Sequence, residues 1–169
     1  RDKKALFAYD IVILGDVPRD FFTAADLKNL REFVEERGGS LISMAGELFL
    51  PWQYRNTDLE AVWPIAVPPT RREIIFREPF QLELTEEGAR NPMMFLVPDV
   101  ERNRELWHSL PGMYWCGVAD RAKPGATVLA QHATQMGTDG KIPLVAVQKV
   151  GEGTSFMTMV DSTWQWRYP

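Results

Sequence analysis

The run Tyr9-Asp10-Ile11-Val12-Ile13-Leu14-Gly15-Asp16 decides the fold. It is apolar without alternation and ends in Gly-Asp, the pattern of a strand covered on both faces. The next segment turns helical. Thr23 offers an N-cap with Asp26 three positions on, and Leu27, Leu30, Phe33 and Val34 recur at helical spacing. Lys28, Arg31, Glu32, Glu35 and Glu36 fill the other side. Gly38-Gly39 supplies a left-handed stop, and Leu41-Ile42-Ser43-Met44 resumes an apolar run ending at Ala45-Gly46. This order predicts a right-handed strand–helix–strand crossover with parallel strands. Asp16 and the turn from Met44 to Glu47 then share the carboxyl rim of the sheet, where open α/β folds hold their ligands. A strand like the first is normally central, so a preceding strand–helix unit is expected outside the sequence.

Beyond this unit the pattern breaks. Pro51, Pro64, Pro68 and Pro69 surround a short helical stretch from Thr57 to Trp63, and Trp52, Tyr54 and Trp63 demand burial there. Ile74-Ile75-Phe76 and Phe80 to Leu84 read as strands, Thr85 caps a short helix, and Glu101 to Leu110 reads as another. Residues of about 50 to 120 thus form an inserted mixed region. Strands follow at Tyr114–Val118, Thr127–Ala130 and Leu144–Val150. Gly151-Glu152-Gly153 then turns the chain into a final strand, Thr154–Val160, predicting an antiparallel hairpin. Asp161 to Arg167 would open a helix cut short by the end of the sequence, so the chain reads as one domain truncated at both ends.

The 169 residues suit a single domain, and 45% hydrophobic with 25% charged residues is ordinary globular usage. A net charge of −4 with scattered basic residues gives neither a nucleic-acid footprint nor a polybasic membrane patch. Cys116 is the single cysteine, which excludes a disulfide framework and any site of several thiolates. No apolar run approaches the roughly 20 residues that cross a bilayer, and no signal-peptide core follows Arg1-Asp2-Lys3-Lys4.

Several segments carry a resemblance. They are Tyr9 to Pro18, Leu30-x-x-Phe33-Val34-Glu35 with Gly38-Gly39, Lys123 to Ala130, Gly151-x-Gly153, and Asp161-Ser162-Thr163-Trp164-Gln165-Trp166-Arg167. Together the chain resembles class I glutamine amidotransferase-like domains. Among these it is most similar to domains of large bacterial proteins that also carry a von Willebrand factor A domain and membrane helices. The resemblance implies an α/β, flavodoxin-like three-layer sandwich with a mostly parallel sheet. It also implies a cysteine nucleophile on a strand-to-helix elbow, activated by a histidine. Cys116 sits instead in an aromatic strand-like run, and the second strand ends in Ser43 and Met44 with no thiol. Neither His108 nor His132 belongs to a His-x-Glu pair after a terminal strand. The catalytic set is therefore not found.

The remaining candidates each have a plain alternative. Asp16 is a ligand or metal residue, or the cap of its own loop, the commoner use of a strand-terminal Asp. Asp161 brings a second carboxylate to the rim, or caps the helix it opens. Two carboxylates without a third ligand make a weak cation site, so no metal or other cofactor is assigned. Gly46-Glu47 offers backbone amides to an anion, yet no phosphate-binding glycine loop is present. Trp164, Trp166 and Arg167 stack on a ligand, or line a domain seam. Trp52, Tyr54 and Trp63 pack the insert, or line a groove, and Ser43 reads as a small buried polar residue. The leading expectation is a catalytically inactive interaction or scaffolding module in a larger, membrane-attached bacterial protein. Its partner would be another protein or other domains of the same chain. The alternatives are a hydrolase or small-molecule or metal-binding domain using the carboxylate rim, and a peptide or sugar receptor using exposed aromatics.

Overall fold

The structure is a computed structural model that describes the backbone of residues 2–167 and the side chains of residues 2–166. A short helix α1 (Lys3–Leu6) precedes strand β1 (Ile11–Leu14), helix α2 (Ala24–Glu35) and strand β2 (Ser40–Met44). β1 and β2 pair in parallel, Ile13 beside Ile42, with α2 between them in the chain, so the expected strand–helix–strand order and parallel pairing are present. A capping box starts α2. The Thr23 hydroxyl accepts from the Asp26 backbone N–H, and the Asp26 carboxylate accepts from the Thr23 backbone. Leu27, Leu30, Phe33 and Val34 are its buried face. Gly38 ends the segment at φ +81°, and Gly39 packs so tightly that a Cβ there would lie 2.1 Å from the Phe33 ring.

The middle of the chain holds helices α3 (Asp58–Val62), α4 (Glu86–Arg90) and α5 (Val100–Ser109). Its strands are β3 (Ile65–Ala66), β4 (Glu73–Phe80), β5 (Leu82–Leu84), β6 (Met113–Gly117) and β7 (Arg121–Ala122). β3 pairs with β7 and β4 with β6 in two small antiparallel sheets, whereas β5 joins the main sheet. The last third supplies β8 (Thr127–Gly137), β9 (Gly140–Val150) and β10 (Gly153–Thr158).

The central sheet has the order β1-β2-β10-β9-β8-β5. The α/β class stands, but the expected mostly parallel sheet is corrected to a mixed one. Parallel pairing is confined to β1–β2 and β2–β10, two of five pairings. Tight turns explain it. Gly140 (φ +127°) and Gly151 (φ +56°) reverse the chain between β8, β9 and β10, and strands joined by a short turn are antiparallel. β8 also runs to Gly137, well past the four residues its apolar run suggested. After β10, residues Ser162–Arg167 form a 3₁₀ helix rather than an α-helix.

α2 packs across β2 and β10 on one face of this sheet, over Leu41, Ser155 and Met157, all fully buried. α3 lies against α2, with Tyr54 and Trp63 buried beside it. Trp63 Nε1 donates to Ser43 Oγ at 2.9 Å, and the Tyr54 hydroxyl donates to the Val17 carbonyl at 2.7 Å. The opposite face is differently dressed. Ile11 and Ile13 are 57% and 65% exposed. In register with Ile13 run Ile42, Phe156 and Val147, each only half-buried.

Candidate functional site

Because β1, β2 and β10 are parallel, their carboxyl ends reach one edge as expected. The Ala45 N–H donates to the Thr158 carbonyl there at 2.9 Å. Asp16 follows β1 and its carboxylate is fully engaged by one loop. Oδ1 accepts from the backbone N–H groups of Phe49 (2.8 Å) and Leu50 (2.7 Å), and Oδ2 from Leu48 (2.9 Å). Gly46 closes the same loop. Its N–H donates to the Leu50 carbonyl, and a Cβ at Gly46 would lie 2.5 Å from Asp16. Charge-assisted bonds of this kind make Asp16 the staple of residues 46–50.

Glu47 points to solvent, and its backbone carbonyl accepts from the Arg71 guanidinium. Asp161 is half-buried and accepts from its neighbour's hydroxyl, Ser162 Oγ, at 2.8 Å. Trp164 is 66% exposed. Trp166 donates from Nε1 to the Pro111 carbonyl and meets Trp107 edge-on at 5.4 Å between centroids, holding the 3₁₀ helix to the insert. The Arg167 side chain lies outside the described residues. Among the described residues, no three His, Cys, Asp or Glu side chains are grouped as cation ligands.

Cys116 and the histidines occupy structural positions. Cys116 is fully buried on β6 opposite Ile74, and burial pushes its thiol up to about 12, far from the thiolate a nucleophile needs. His132 is buried and stacks on Phe80, with Phe76 also in contact, at 4.3 and 5.1 Å between centroids. Its Nδ1 accepts from the N–H groups of Thr134 and Gln135, and burial, with Lys141 nearby, lowers its proton affinity. His108 is exposed on α5.

The feature that sequence reading missed is the open sheet face. Ile11, Ile13, Ile42 and Phe156 form an apolar row across three adjacent strands, continued by Val147 on β9. Its signal was present: the uniform run Ile11–Leu14 asks for cover on both sides, and among the described residues it has cover on one. Ile11 and Ile13 are its exposed members, and Ile42, Phe156 and Val147 are half-buried.

No protein-family model and no curated protein matches the sequence. Among solved structures, the cytoplasmic protein STM3548 of Salmonella typhimurium superposes with a TM-score of 0.72 at 17% identity, over 97% of this chain and 68% of its own. The cytoplasmic protein STM1381 of Salmonella typhimurium LT2 gives 0.70 at 19%, over 99% and 66%. A β-galactosidase of Rahnella sp. R3 gives 0.61 at 17%, over 95% of this chain and 21% of that enzyme.

The likeness is one of fold. The chain spans about two thirds of the two Salmonella proteins and a fifth of the galactosidase. These neighbours correct the amidotransferase resemblance, since none of them is a class I glutamine amidotransferase. The physical reason lies in the segments that carried it. An apolar strand ending in Gly-Asp, a Gly-Gly helix stop and a Gly-x-Gly hairpin turn punctuate many α/β crossovers and carry no chemistry. In the described residues no helix is long and apolar enough to cross a membrane.

Proposed function

We propose that this chain is an interaction module whose working surface is the open face of its central sheet. The observation carrying this reading is the pair Ile11 and Ile13, more than half exposed on a strand of the main sheet and continuous with Ile42 and Phe156. Apolar side chains so placed gain about 25 cal/mol per Å² when a partner covers them. The rim supports the same reading from the other side. Asp16, its best-placed carboxylate, spends both oxygens on three backbone donors, leaving no free base at the end of β1. Cys116, the one thiol, is sealed and held protonated. Neither of these two groups is free to react, which favours a role for the surface.

The test is site-specific photo-crosslinking in cells. A benzophenone side chain at position 13 should give a discrete polypeptide adduct that disappears when Ile11→Asp is added. The same group at position 75, an exposed isoleucine on β4, should give none. No adduct from position 13, or one indifferent to Ile11→Asp, overturns the proposal.

A further inference from the structure

At the start of β8 and β10 and the end of β9 the sheet carries a hollow of about 340 Å³, within the range of small-molecule sites. Lys149 lies opposite Thr154 there, and Val147 opposite Thr127. Directly paired residues of an antiparallel ladder share a face, and Val147 is in register with Phe156, so all four side chains stand on the open side. Gln148, between Val147 and Lys149, turns its side chain to the α2 side by the same alternation. Asn91 and Met93, from the loop after α4, and Gly125, from the turn before β8, complete the rim.

The polar side chains of this lining are donors with nothing to donate to. Lys149 forms no ion pair among the described residues, and the Thr127 and Thr154 hydroxyls have no hydrogen-bond partner among them. Asn91 Oδ1 accepts from the Met93 backbone N–H at 3.0 Å, which fixes the amide and leaves Nδ2 as its free donor. No carboxylate among the described residues lines the space. In a chain of net charge −4 that is selective. Four other surface hollows, beside Glu83, Asp120, Asp58 and Asp26, each include a carboxylate. A lysine ringed by hydroxyl and amide donors, with no competing acid, complements an oxyanion. Met93, 52% exposed, and the half-buried Val147 add an apolar wall. We propose that this hollow binds a small organic oxyanion, a carboxylate or phosphate monoester on an uncharged, partly apolar body. Lys149 meets its charge, and Thr127, Thr154 and Asn91 donate to its oxygens. The site is built wholly from residues 91–154 and needs no second polypeptide, so it stands or falls separately from the docking reading above.

Amide NMR of the isotope-labelled chain, titrated with phenyl phosphate, with benzoate and with uncharged benzyl alcohol, tests this. At least one of the two acids should give saturable shifts at Thr127, Lys149 and Thr154, and the tighter of them names the headgroup. Benzyl alcohol should not saturate these positions. Lys149→Gln should weaken binding about tenfold or more, the loss of a charged donor, and Thr154→Val about threefold, the loss of a neutral one. Lys149→Arg should keep most of the affinity. Lys4→Gln, an equal change in net charge at an exposed lysine on α1, should leave it unchanged. Both lysines are exposed, so the fold should survive either substitution. Absence of saturable shifts with either acid overturns the proposal, as does an equal response to benzyl alcohol. Binding that Lys149→Gln and Lys4→Gln weaken alike overturns it too, since that would report net charge and not a site.

Discussion

On β2, Leu41 and Ser43 lie sealed beneath α2 and Trp63, while Ile42 between them faces the uncovered side beside the exposed Ile13. The same alternation on β1 sets Leu14, 5% exposed, next to Ile13. One face of these strands is bound to the fold's own core, and the other is spared from it. On the proposed reading the contrast separates residues that serve stability from residues that serve contact, and substitutions on the two faces should therefore diverge in kind.

The largest effect belongs to the sealed face. Leu41→Ala should cost about 2–5 kcal/mol in urea unfolding, the range for a large-to-small change in a tight core. Asp16→Ala comes next. Three backbone N–H groups lose a charged acceptor, and a loss of about 2–4 kcal/mol is expected, with faster hydrogen exchange at Leu48, Phe49 and Leu50. An unchanged midpoint would return Asp16 to the pool of ligand candidates. Gly39→Ala should cost about 1–3 kcal/mol, since the new methyl group meets the buried Phe33 ring.

Thr23→Ala should cost about 1 kcal/mol through loss of the N-cap. The Thr23 backbone N–H and then its hydroxyl hold the Asp26 carboxyl down to about 2. A depressed acid stabilises fully above its unfolded value and loses that contribution as pH falls through the folded one. Wild-type stability should therefore decline between roughly pH 4 and pH 2, and Thr23→Ala should flatten that slope in acid titrations followed by circular dichroism. The smallest effect is Ile13→Ala, expected within about 0.5 kcal/mol of wild type. A large loss there would mean that Ile13 serves the core of the single chain after all.

Much of this contrast could be read from local sequence, and part could not. The crossover from β1 through α2 to β2 followed from a capped helix with four regularly spaced apolar residues and a glycine stop, all short-range signals. The rim followed from parallelism alone. What escaped was the share of antiparallel pairing, because the length of β8 and the joining of β5 to its edge depend on distant partners. The roles of Asp16 and Trp166 were equally hidden: a carboxylate shows its donors, and an indole its seam, only once the chain has folded. The open face was concealed for a simpler reason. Composition reports that Ile11 and Ile13 need cover, and says nothing of whether the same chain provides it.

Native mass spectrometry of the protein isolated from its cells, wild type against Ile13→Asp, bears most directly on the role of the open face. The account predicts wild-type protein in a complex heavier than one chain, and a folded single chain for the variant. A single chain in both, or the same complex in both, would contradict it.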